Sequence, residues 1–226
     1  MQAFLPPASH QTPLLTLVWH QDEHAKQDAR QVVVTMLQHA YGPYGHTVRT
    51  GGDARLAWGL LLPDLFTSLT CWSVYTNGSE HGVIEGEFYD DVPGCKLDSG
   101  DNPALAQYVA TSMRTDPERP LTDLNGVYSG FYVNRERSCV YVFGDYPGNR
   151  SIFWLADQRK FVVTGNLWAF RGYEGFERRW DPIALTEMLT IGFPMAGRTW
   201  LSEVRQLQRG RQVRAWSDGR TDVRKL

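Results

Sequence analysis

The chain has 226 residues, 42% of them hydrophobic and 21% charged, enough for one generous domain with a real core and unlike a disordered chain. A formal net charge of −2 excludes a global attraction to nucleic acid or to an anionic membrane. The longest apolar run, around Leu60 to Leu62, is far too short to span a bilayer, and Met1 to Pro7 shows no basic region ahead of an apolar core. Cys71, Cys95 and Cys139 are odd in number and lack metal-ligand spacing, so a reducing, cytoplasmic setting is expected, with no metal and no cofactor. Charge is uneven: seven acids and one Lys lie between Glu80 and Asp101, and eight bases and three acids lie from Arg198 onward. Both stretches read as solvated faces and loops.

In chain order, residues 1–13 form a proline-containing lead-in. Leu14 to Trp19 is a compact apolar run of strand length. Asp22 to Ala40 carries Val33, Met36, Leu37 and Ala40 at helical spacing, and the glycines and proline of residues 41–45 stop it. Ala54 to Leu62, Leu69 to Tyr75 and Val83 to Tyr89 read as strands, with turn chemistry at Asn77-Gly78. Asn102-Pro103 is a cap followed by proline at the first helical position, and Leu105, Tyr108, Val109 and Met113 supply one face of that helix. Arg114 to Pro120 reads as a polar turn. Val127 to Val133, Ser138 to Phe143, Ser151 to Leu155 and Lys160 to Thr164 form an antiparallel meander joined by short polar loops. Asp181-Pro182 repeats the cap signal and opens a helix through Leu185, Met188 and Leu189, closed by Gly192; Val213 to Trp216 is a last strand. Helices cluster at two places among antiparallel strands, which is an α+β pattern.

Several segments, in order, resemble the glutaminase domain of asparagine synthetases. Glu85-Gly86-Glu87-Phe88-Tyr89-Asp90 resembles the family's N-G-E-I-Y-N, and Gly100-Asp101 its S-D before the following helix. Leu124 to Phe131 resembles its L-x-G-x-F-A-F strand, and Gly144 to Trp154 its R-D-R-x-G-x-K-P-L-Y-Y turn and strand. Val163 to Phe170, Asp181 to Leu185, Gly192, Thr199-Trp200 and Leu207 to Gly210 follow its closing order, and residues 39–45 faintly echo H-R-G-P-D-G. The resemblance implies a four-layer αββα sandwich of the N-terminal-nucleophile (Ntn) hydrolase type, with two stacked antiparallel sheets spanning residues 14–216 and a tail at 217–226.

The departures from the family pattern concern chemistry. An active member begins with cysteine, whose thiolate attacks glutamine while its own α-amino group moves the proton. The equivalent position here is Leu14 or Leu15, which cannot attack a carbonyl. The family arginine that holds the glutamine carboxylate aligns with Leu60, and the oxyanion-hole asparagine aligns with Glu85. Gly86, Glu87 and Asp101 keep matching identities as a remnant glutamine pocket. Thr12 and Thr16 lie near the nucleophile position but read as ordinary strand-region residues. His20 and His24 share helical spacing without the glutamate of H-E-x-x-H, and read as solvated.

No S-G-G-x-D-S loop of an ATP-pyrophosphatase domain occurs in the sequence. As in β-lactam synthetase and lasso-peptide cyclases, the resemblance implies a non-catalytic accessory or scaffold domain for an ATP-dependent amide-forming enzyme. The expected partner is a synthetase-like protein or a second copy of the chain, with Trp200, Arg205, Arg209, Arg211 and Arg214 as the expected contact face. The alternatives are a glutamine amidotransferase subunit supplying ammonia after maturation, and an amino-acid or small-molecule sensor using the remnant pocket.

Overall fold

A computed structural model describes residues 14–20, 28–40, 45–64, 70–92, 95–97, 100–157, 160–174 and 176–226. The expected lead-in, His24, Thr12, the first turns of the helix expected from Asp22 and most of the 41–45 stop lie outside these residues.

Strand β1 (Leu14–His20) is buried along its whole length, because both of its faces are covered. Its neighbours are β3 (Leu56–Pro63) on one side and β10 (Lys160–Thr164) on the other. With β2 (His46–Gly52), β9 (Phe153–Ala156) and β11 (Arg205–Gln206) they form a six-stranded sheet, ordered β11-β9-β10-β1-β3-β2. The second sheet is ordered β13-β12-β8-β7-β5-β4-β6. Its strands are β4 (Cys71–Asn77), β5 (Glu80–Phe88), β6 (Gly100–Asp101), β7 (Gly126–Asn134), β8 (Cys139–Gly144), β12 (Arg211–Trp216) and β13 (Thr221–Lys225). All pairs are antiparallel except the short β4–β6 pair.

Period-two alternation sorts the apolar side chains between layers. Leu15, Leu17 and Trp19 point between the sheets with Phe131, Val133, Val140, Val142 and Val213. Leu14 and Val18 face the other way, against Val33, Met36 and Leu37 of α1 (Ala29–Ala40). On the far side, Leu105, Val109 and Met113 of α2 (Pro103–Thr115) cover Ile84, Tyr128 and Tyr132. The result is the αββα sandwich, with β7 and β8 paired as Phe131↔Val142 and Val133↔Val140.

Three elements differ from the sequence reading. Strand β2 has only Val48 as an apolar residue and lies exposed at a sheet edge, so no burial pattern marks it. The expected polar turn at 114–120 ends in a short helix, α3 (Arg119–Asp123). Residues 221–225, expected in a tail, pair with β12 across Val213↔Val223 and extend the second sheet by one strand, so the folded unit does not stop at residue 216. The last helix, α4 (Pro182–Ile191), is capped as read: the Asp181 carboxylate accepts from the Ile183 and Ala184 amides, and Gly192 closes it at φ 87°.

Candidate functional site

A cavity of about 910 Å³ opens beside the first residue of β1. Leu14 and Leu15 form part of its wall, and Gly165, just past β10, lies close by because a Cβ there would stand 2.9 Å from Leu14 Cδ1. Asn166 then caps a 3-10 helix (Leu167–Gly172): its Oδ1 accepts the Trp168 amide at 2.9 Å, which sets Trp168 at the cavity. Trp180 and Leu201, joined by a β-bridge, close the opposite side with Trp200.

The floor is polar. Glu85 on β5 sits beside Ser129 on β7, whose Oγ donates to Glu85 Oε1 at 2.5 Å. After β8 the buried Asp145 carboxylate accepts from the backbone amides of Asn149 at 2.7 Å and Arg150 at 3.0 Å. This local turn brings Arg150 Nη2 to 3.4 Å from Glu85 Oε2, with the two side chains 8% and 1% exposed. Glu85 Oε2 and Arg150 Nε and Nη2 make no hydrogen bond with the protein. Burial pushes the Glu85 carboxyl above its ordinary range, against the pull of Arg150 and the Ser129 bond.

Of the described positions singled out in the sequence, Leu14, Leu15, Glu85 and Trp200 come together at this cavity, and Leu60, Gly86, Glu87, Asp101 and the four arginines do not line it. Leu60 is fully buried between the sheets, filling space in the core. Gly86 is a packing position: a Cβ there would stand 2.5 Å from the Tyr128 Cβ. Glu87 is half-buried and Asp101 is exposed, and Asp101 is held from Glu85 by the intervening Trp72 of β4. The expected pocket of Gly86, Glu87 and Asp101 therefore does not line the cavity. The expected arginine face is also divided. Arg205 is exposed on β11, at the edge of the six-stranded sheet, whereas Arg211 and Arg214 lie on β12 of the other sheet. Arg209 packs its stem at Gly148, and Arg214 is buried with its guanidinium 5.2 Å from the Tyr141 ring centroid. His20 is buried, not solvated, and burial lowers its pKa. Among the described residues no three His, Cys, Asp or Glu side chains are grouped to hold a metal, and no helix is long and apolar enough to cross a membrane.

Sequence reasoning missed Ser129 and Arg150. Both stand inside matched motifs, but only the pairing of β5 with β7 and the turn at Asp145 bring them to Glu85. It also missed how α4 is placed. Of its ten residues only Ala184 is buried, and Ile183, Leu185, Leu189 and Ile191 are exposed, Leu189 at 87%. The following loop also exposes Phe193 and Met195. Glu187 fastens that loop, accepting from Met195 N at 2.8 Å and Arg198 Nη1 at 2.7 Å.

No protein-family model and no curated protein sequence matches the chain. Solved structures do. The glutamine phosphoribosylpyrophosphate amidotransferase of B. subtilis, solved with ADP and GMP, superposes with a TM-score of 0.55 at 10% identity, covering 94% of this chain and 49% of that one. A structure described as the allosteric regulatory enzyme of purine biosynthesis gives 0.54 at 10% identity, covering 94% and 48%. This chain thus spans about half the length of the solved proteins it matches. At that identity the likeness establishes the fold: this chain has the Ntn-hydrolase sandwich found in glutamine amidotransferases.

Proposed function

We propose that this chain is a non-catalytic, glutaminase-type domain that serves as a docking scaffold for a synthetase-type, amide-forming protein. The observation that carries the reading is α4. Apolar residues of a helix ordinarily face a covering surface, yet here Ile183, Leu185, Leu189 and Ile191 are exposed. Each such side chain gains roughly 1.5–3 kcal/mol on full burial, so the surface favours a partner. The clamp from Glu187 to the 195–198 loop fixes this surface in advance, which lowers the ordering cost of binding. The matched proteins carry about as much chain again beyond the shared domain, which fits a domain of this fold packed against a second unit.

Catalytic silence is supported by the site. Leu14 at the strand start offers no nucleophile, and Glu85 stands at the position that the resemblance assigns to an oxyanion-hole donor. Co-expression with an asparagine-synthetase-type protein from the same genome, read by size-exclusion chromatography with light scattering, tests the reading. A defined complex is expected from wild type and none from Leu189→Glu. A wild-type monomer that ignores the synthetase refutes it.

A further inference from the structure

The cavity is far larger than a glutamine side chain needs, and six aromatic residues line it: Phe153, Trp168, Phe170, Phe176, Trp180 and Trp200. Four ionisable residues reach it: Arg150, Arg171 and Arg178 against the single carboxylate of Glu85. Glu85 and Arg150 face each other at the floor as an ion pair 3.4 Å apart. Arg171 is positioned beside the aromatic wall, its guanidinium 5.4 Å from the Trp168 ring centroid, and Arg178 is exposed. The nearby acids Glu177 and Glu203 pair with Arg179 and do not line the cavity.

We infer that this cavity is a binding site for a small organic monoanion with a planar aromatic body. The apolar walls accept the ring by burial and stacking, and a volume of about 910 Å³ matches the usual range for pockets that enclose such molecules. Arg150 already faces Glu85 at the floor, so the arginines left for the anion are Arg171 and Arg178 at the rim. A zwitterion such as glutamine meets neither requirement: it has no ring for the walls, and its ammonium group would sit among guanidinium groups. The inference does not depend on the docking of α4. Arg171 and Arg178 are absent from that surface, and Leu189 is absent from the cavity.

The test uses matched probes with calorimetry on the full chain. 1-Naphthaleneacetate carries both features, 1-naphthaleneacetamide keeps the ring without the charge, and acetate keeps the charge without the ring. The naphthalene acid is expected to bind about tenfold more tightly than its amide, in line with the gain from charge-assisted contacts, while acetate and L-glutamine give no measurable heat. Arg171→Gln and Arg178→Gln, both at exposed positions that leave the core intact, should each weaken the acid severalfold without changing the amide. Raising the salt should weaken the acid alone. Equal affinity for acid and amide, absence of binding by the acid, or an acid affinity untouched by both substitutions each overturns the proposal.

Discussion

Replacing Arg150 with Met removes the counter-charge of a carboxylate that has almost no access to water. The pair is 3.4 Å apart with side chains 8% and 1% exposed, so Arg150→Met leaves Glu85 buried beside Ser129 alone. Breaking a buried pair from one side costs about 3–5 kcal/mol. The cost depends on pH with a definite sign. Glu85 already has a folded-state pKa above its ordinary value, and losing Arg150 raises it further. A raised carboxyl pKa means that the folded state holds its proton more firmly than the unfolded chain. That contribution to stability is complete below the unfolded pKa, about 4.3, and is lost as pH rises through the folded value. The deficit of Arg150→Met relative to wild type should therefore be largest near about pH 8 and shrink towards about pH 5, by up to about 1.4 kcal/mol per pH unit between the two pKa values. Urea unfolding of both proteins at each pH measures it. The double variant Glu85→Gln/Arg150→Met, which leaves no charge at the floor, should recover most of the loss at the higher pH. An equal deficit at both pH values, or a double variant as unstable as the single one, refutes the account of this cluster.

Purified protein should release no glutamate from glutamine, and Leu14→Cys should leave it inactive because Leu60 and Glu85 remain; turnover surviving removal of contaminating amidotransferases would contradict this. Leu189→Glu should leave the melting temperature within a few degrees of wild type while abolishing the synthetase complex, since the side chain is 87% exposed. Trp200→Ala, at a residue 41% exposed, should cost the monomer less than a core truncation, which typically takes about 3–5 kcal/mol, and a loss of that size would place it in the core instead. Gly86→Ala should destabilise by about 1–3 kcal/mol, because the added carbon meets Tyr128 Cβ and the Val127 carbonyl oxygen at 2.5 Å; an unchanged urea midpoint would show that the sheet relaxes there.

The layer order of the sandwich was legible because its signals are local or repetitive. The compact apolar run of Leu14 to Trp19, the Asn102-Pro103 and Asp181-Pro182 caps and the 127–164 meander each report directly on backbone geometry. Edge elements were not legible. Strand β2 has almost no apolar residue to betray it, and β13 is held by pairing with β12 and not by burial of its own. The site was half legible for a related reason. Motif order located Leu14 and Glu85, but which residues stand beside them depends on strand register and on one turn. Gly86 is one residue from Glu85 in β5, and a shift of one residue along a strand reverses the face. Hydrophobicity in α4 signals burial, and no single chain can say whether the burying surface is its own.

All three cysteines of the sequence lie within one packed cluster beneath α2, and none belongs to the layer that holds α1. Burial pushes the Cys139 thiol up to about 11 and raises Cys95 as well, so in the folded chain both are screened from alkylating reagents by acidity and by access. The molecule thus carries a chemical clock on one side only. A thiol reagent counts the moments when the α2 layer lifts, while Trp19, Trp58 and Trp154, which face the core between the sheets, report by fluorescence when the two sheets part, in a variant whose other five tryptophans are replaced. Comparing the two signals tells whether the sandwich opens as one body or peels apart layer by layer.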